Sequence, residues 1–269
     1  MPRYKLTIEY DGGPFVGWQR QDTGPSVQAA LEDAVFAFSG ERAVAQCAGR
    51  TDAGVHALGQ VAHLDLAAEW PVEKIRSALN YHLKPNPIVV PLVEAVPERF
   101  HARFWATHRR YRYRILNRRA PSALDRGHVW HVPAPLDAEA MAESAAVLQG
   151  HHDFNSFRST SCQAPSSIKT LDVLTVHREG EEIHVDVAAR SFLHNQVRIL
   201  VGTLKMVGRG QWTKRDVADA LAARDRTRAG PTAPPEGLCL MQVTYKAVTD
   251  GTDSAGGDRS DPEEPLDDQ

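Results

Sequence analysis

The sequence predicts an α+β chain of two lobes, with antiparallel sheets joined around a central cleft. Strand-period and helix-period segments follow one another as β-α-β-β-α-β through the first half, a looser version of that order occupies the second half, and no short-period repeat runs through the chain. The first order is the split βαβ, a ferredoxin-like or RRM-like arrangement, whose sheet leaves one face free of helices and open to a ligand.

The opening stretch "YKLTIEY" alternates Tyr4, Leu6, Ile8 and Tyr10 with Lys5, Thr7 and Glu9, the period of a half-buried strand. Ser26 is placed to cap the next helix, in which Val27, Leu31, Val35 and Phe38 share one face before Gly40 ends it. Strands are expected around 42–48 and 60–66, followed by a helix opened by Pro71 with Val72, Ile75, Leu79 and Leu83 on one face, and by the apolar run "IVVPLVEAV". The second lobe begins with "RRYRYRIL" as a strand and continues into a helix over 137–149, capped by Asp137 and closed by Gly150. Strands near 169–178 and 182–189 come next, and then a helix over about 194–207 with Val197, Val201 and Leu204 inward. Thr213 and Asp216 form a capping box for a further helix, and "CLMQVTYK" closes the sheet. The lobes are placed at 1–105 and 106–248.

Charge separates the body from its end. From Asp250 onward, eight acids face the single base Arg259 for a local net of −7, which leaves +4 for residues 1–249 within the chain's formal −3. That segment, 249–269 in the domain assignment, has almost nothing apolar to offset the entropy of ordering and is expected to be a disordered acidic tail. Cys47, Cys162 and Cys239 are odd in number and far apart, so neither a disulfide framework nor a cysteine-built zinc site is indicated. No apolar run has membrane-spanning length and no secretory leader pattern opens the chain, so a cytoplasmic protein is expected.

Chemistry centres on "AGRTDAGVHALGQ", residues 48–60, where Asp52 stands between Arg50 and His56 among three glycines. Taken alone this is either an Asx-type turn or a site. In "HRRYRYRI", Arg110, Arg112 and Arg114 alternate with Tyr111 and Tyr113, giving a strand one guanidinium face and one aromatic face. That strip is either a solvated face over a tyrosine core or a surface for RNA, because guanidinium planes match phosphates and rings stack on displaced bases. Arg110, Arg112 and Arg158 are assigned on this basis to the RNA backbone. Arg198, set among Val197, Ile199, Leu200 and Val201, lies either on the wet side of its helix or beside a carboxylate. If that carboxylate is Asp52, the pair keeps the acid ionised. His151, His152 and Asp153, or His128 and His131, lack the partners of a metal site, and there is no Walker A loop, GxGxxG or GxSxG, so no metal or nucleotide cofactor is expected.

With Asp52 and the Arg/Tyr strip in place, the chain resembles the TruA family of tRNA pseudouridine synthases. The resemblance is carried by "IEYDGGPFVGWQRQ" (8–21), "SVQAALEDAV" (26–35), "CAGRTDAGVHALGQVAH" (47–63), "FHARFWATHRRYRYRI" (100–115), "HDFNSFR" (152–158), "RSFLHNQVRILVG" (190–202) and "EGLCLMQVTY" (236–245), in the family's order. It implies the pseudouridine synthase fold and isomerisation of uridine to pseudouridine at positions 38, 39 and 40 of the tRNA anticodon stem-loop, by a homodimer without a cofactor. Asp52 then matches the catalytic aspartate, Arg50 lies beside it in the same motif, Tyr111 matches the tyrosine that contacts the target nucleotide, and Arg198 matches the arginine that pairs with the aspartate. The chain departs from the family pattern in "NYHLKPNPIVV" (80–90) and in its acidic tail. The competing class is a non-catalytic RNA-binding or RNA-chaperone protein on the same lobes, which has no reason to set an acid among phosphates. A third reading, a metal-dependent nuclease, would use His151, His152 and Asp153.

Overall fold

The computed structural model describes residues 1–246, so the acidic tail lies outside the described residues. Its class is the expected α+β. The elements are β1 (Arg3–Tyr10), α1 (Val27–Ser39), β2 (Gln46–Cys47), β3 (His56–Asp65), α2 (Val72–His82), β4 (Ile88–Val96), β5 (Ala106–Leu116) and β6 (Trp130–His131), continued by α3 (Ala138–Ala145), β7 (Gly150–Asp153), β8 (Ile168–Glu179), β9 (Glu182–Ala189), α4 (Gln196–Gly208), α5 (Lys214–Ala223) and β10 (Leu238–Tyr245).

Apolar alternation decides which face each strand buries. Tyr4, Leu6, Ile8 and Tyr10 of β1 are all buried and share one core with Tyr111, Tyr113 and Ile115 of β5. The helix α1 starts where Ser26 Oγ accepts the Ala29 N–H and stops at Gly40, which takes the left-handed conformation and donates to Phe36 O. Its inward stripe is Val27, Leu31, Ala34 and Val35, while Phe38 packs against the core from its margin. The run "IVVPLVEAV" forms the edge strand β4, with exposed Pro91 in the stretch where pairing to β1 shifts register. The α5 capping box is formed as its sequence spells it.

Two helix boundaries differ from the sequence expectation. The helix α3 ends at Ala145 rather than running to 149, because Val147 and Leu148 donate to Ser144 and Ala145 and wind the chain into tighter turns. Gly150 opens β7 instead of closing the helix. The helix α4 begins at Gln196 because Asn195 adopts φ 61°, outside helical space.

The two halves share one ten-stranded sheet, ordered β4-β1-β3-β10-β5-β9-β8-β7, with β2 on β3 and β6 on β5. The join is made by β10, the last strand among the described residues. β10 pairs antiparallel with β5 along its length and parallel with β3 through Cys239↔His56 and Leu240↔Ala57. Helices pack toward the outer strands, α2 on β4 and α3 on β8. Of the residues singled out above, Arg50 and Asp52 lie in the turn before β3, Arg110, Tyr111 and Arg112 on β5, Arg158 in the segment before β8 and Arg198 on α4.

At the seam Gly59 lets the two backbones approach, since a Cβ there would stand 2.6 Å from Met241 O. Gly59→Ala is therefore expected to destabilise the protein by about 1–3 kcal/mol through overpacking, read as a lower urea midpoint with an unchanged m-value.

Candidate active site

Asp52 lies in the turn between β2 and β3, where Val55 N–H donates back to Asp52 O at 3.1 Å. The turn is held from several sides. Gly17, at φ 117°, forms a bridge with Asp52, and a Cβ on Gly17 would press on Thr51 O at 2.8 Å. Trp18 N–H donates to Thr51 O at 3.0 Å, and the Thr51 hydroxyl meets the buried Tyr10 hydroxyl at 2.7 Å. Gln60, fully buried on β3, donates to Gly49 O at 2.8 Å.

The residue that joins this turn to the second half is Arg109, which the sequence reading passed over. Its buried guanidinium donates to Ala48 O through Nε at 3.2 Å and Nη2 at 2.6 Å, to Arg103 O at 2.8 Å and to Arg190 O. Burial pulls its pKa below the ordinary arginine value. Its multiple N–H groups supply what these carbonyls lack from the sheet ladder. Ala48 leads into Asp52, and Arg190 leads into α4.

Across that junction Arg198 Nη1 stands 3.5 Å from Asp52 Oδ2. Its side chain is largely buried, so the wet-side alternative does not hold; Nε donates to Ala233 O and Nη1 to Asn195 Oδ1, both at 2.8 Å. His194, absent from the sequence list, places Nε2 3.3 Å from Asp52 Oδ1. The only signal for it is position, four residues before Arg198 at the start of a helix. Asp52 itself stays partly exposed, so its carboxylate is both paired and reachable.

Tyr111 on β5 is buried and meets Phe192 edge to face at 5.3 Å between ring centres. Burial raises its phenol pKa above the ordinary value, Arg109 opposes that shift, and the charge of Asp52 adds to it. The same turn, strand and helix start therefore gather Asp52, Tyr111, Arg198 and His194. Arg50 is exposed two residues before Asp52. Arg158 is half-buried beside Ser159, whose N–H donates to His194 O at 3.0 Å.

The remaining arginines of the strip point to the other sheet face, as alternation with Tyr111 requires. Both Arg112 donors engage Asp186 at 3.0 Å, and exposed Arg110 comes within 3.7 Å of the same carboxylate. Arg114 is held by Glu182 and Asp125. Arg110 and Arg112, expected at the RNA backbone, thus stand on the face opposite Tyr111, Arg112 bonded to Asp186 and Arg110 largely exposed. A cavity of about 720 Å³ on that face is lined by Arg112, Arg114, Asp125, Glu182 and His184.

His151, His152 and Asp153 do not converge on a common point, and His131 bonds Arg118 O apart from His128. His151 and His152 bond Thr170 and Gln149 separately, and Asp153 accepts from Ser167 and Asn155. Asp11, His56 and His128 do come close together, as do His177, Glu179 and His184. In the first group Gly12 N–H donates to His56 Nδ1, and Nε2 is engaged by Gly127 O, so both ring nitrogens are occupied. Burial pushes the Cys47 thiol up to about 12 and Cys239 to about 11, which leaves both neutral and poorly nucleophilic. Among the described residues no helix is long and apolar enough to cross a membrane.

Comparison of the sequence with known proteins identifies its relatives. The family model described as tRNA pseudouridine synthase matches residues 6–105 and 145–246. The tRNA pseudouridine synthase A of Paramagnetospirillum magneticum is 60% identical over 247 residues, covering 92% of this chain and 96% of its own length. That of Rhodospirillum centenum is 60% identical over 91% of this chain and all of its own, and that of Maricaulis maris 56% identical over 91% and 98%. Since the matched segments cover most of the chain and take in both the Asp52 turn and the Arg198 helix, the chain belongs to the tRNA pseudouridine synthase family.

Proposed function

We propose that this protein isomerises uridine to pseudouridine at positions 38, 39 and 40 of the tRNA anticodon stem-loop, with Asp52 as its catalytic residue. The observation that carries the reading is the partly exposed Asp52 carboxylate, flanked by Arg198 at 3.5 Å and His194 at 3.3 Å in a turn fixed by both halves of the sheet. The positions in tRNA, and action as a cytoplasmic homodimer, rest on the family resemblance rather than on this geometry.

The reaction breaks the N1–C1′ bond, turns the base in place and joins C5 to C1′. N1 gains a proton and C5 gives one up, so the step is an isomerisation without oxidant or reductant. A uridine stacked in an anticodon arm must first leave its stack to reach a carboxylate held this way. Attack on C1′, addition to C6, and charge stabilisation while the 2′ proton leaves all use an ionised carboxylate. Arg198 places a guanidinium 3.5 Å from one of its oxygens. Tyr111, kept as a neutral phenol by burial, offers a ring under the extruded base and a hydroxyl that passes the C5 proton onward. Arg50 and Arg158 flank the turn and the His194 segment, where phosphates of the displaced strand would lie.

Turnover is followed by release of tritium from tRNA labelled at uridine C5. Asp52→Asn is expected to lower kcat by about 10³-fold or more while tRNA affinity stays within about twofold. Equal turnover by this variant and the wild type would remove Asp52 from the mechanism and favour a non-catalytic RNA binder. Tyr111→Phe is expected to bind tRNA normally and to stall after glycosidic cleavage, seen as uridine consumed without pseudouridine formed.

A further inference from the structure

We infer that His194 is a positioning residue for Asp52, sharing the carboxylate with Arg198 so that each cation-capable group holds one oxygen. The inference rests on the catalytic reading of Asp52. His194 Nε2 faces Oδ1 at 3.3 Å and Arg198 Nη1 faces Oδ2 at 3.5 Å. A carboxylate held at one oxygen still swings about its Cβ–Cγ bond; held at both, its plane is fixed. Reaction at a sugar carbon or a base carbon needs a lone pair aimed to within a fraction of an ångström, so that plane is worth rate.

The imidazole is itself oriented. Its Nδ1 lies 3.3 Å from Ser161 Oγ, and Ser161 Oγ meets Ser159 Oγ at 2.9 Å. The Ser159 N–H closes the loop onto His194 O at 3.0 Å. With the Ser161 hydroxyl donating to Nδ1, the ring proton of the neutral tautomer sits on Nε2, the nitrogen that lies 3.3 Å from Asp52. This is the arrangement in which a histidine orients a carboxylate without needing a charge.

Backbone conformation puts the two partners on the same target. Asn195 takes the left-handed conformation at φ 61°, one that asparagine tolerates better than most side chains. It closes the turn carrying His194, in which Gln196 N–H donates to Leu193 O, and starts α4, whose first turn carries Arg198, and its own side chain accepts from Arg198 Nη1. A helix beginning at 194, as periodicity alone suggests, would fix His194 relative to Arg198 by helical geometry. The turn at Asn195 lets the ring approach the acid independently of the guanidinium.

The test compares His194→Leu, which removes the donor, with His194→Gln, whose side-chain amide keeps an N–H near the Nε2 position. With tritium release as the assay, the leucine variant is expected to lose about 10–100-fold in kcat with KM for tRNA unchanged, and the glutamine variant to recover most of that loss. Unaltered kcat in the leucine variant, an effect on KM alone, or an equal loss in both variants would overturn the inference. Thermal melts establish that each variant is folded, and His194→Ala replaces the leucine variant if the latter is not. Asp52→Asn run in parallel separates the two ideas: an inactive asparagine variant beside a fully active leucine variant sinks only the role of His194, whereas an active asparagine variant sinks the catalytic reading beneath it.

Discussion

The structure hangs on a buried guanidinium that has carbonyls for company. Arg109 reaches Ala48, Arg103 and Arg190, which belong to the run into the Asp52 turn, the loop before β5 and the run into α4. Ala48, the buried one of the three, lies outside the strands, and an unsatisfied buried carbonyl costs on the order of 1–3 kcal/mol. A lysine has the charge but not the planar fork that meets several acceptors at once. The same contacts that settle the desolvation of Arg109 also set the spacing between an acid from one half and its cationic neighbours from the other.

The sheet divides the chemistry between its faces. Toward the helices, Tyr111 and Tyr113 are core side chains, and only Tyr111 lies near enough to Asp52 to feel its charge. On the opposite face the arginines of the same strand sit across from acids of β9 in register, Arg112↔Asp186 and Arg114↔His184 with Glu182 alongside. Cross-strand pairs of this kind hold neighbouring strands together and leave little free positive charge. A single alternating stretch thus supplies a buried aromatic face and an ion-paired face.

Local patterns in the sequence carried far, and long-range ones did not. The alternation of β1, the Ser26 and Asp137 caps, the Gly40 stop and the α5 capping box are all decided by neighbours within a few residues, and each stands in the structure as written. The ends of α3 and α4 were misjudged because apolar spacing continues past the point where the backbone turns aside, at Ala145 and at Asn195. Asp52 was legible from its motif. Arg109 looked like one more member of a basic strip, because nothing in its own stretch says that the acceptors lie at Ala48, Arg103 and Arg190. The acids opposite Arg112 and Arg114 were likewise invisible until strand register brought Asp186 and Glu182 beside them. His194 needed Asn195 in a left-handed conformation, which helical periodicity does not encode.

The last strand to leave the ribosome among the described elements is also a central one. β10 inserts between β3 and β5, so until residues 238–245 are available the two halves present facing, unfilled strand edges. Vectorial synthesis therefore completes the sheet at its middle rather than at its rim, and the pairing that closes it spans most of the chain. A nascent polypeptide interrupted before Leu238 would lack the bridge between those edges, leaving the halves to misassociate with other incomplete copies.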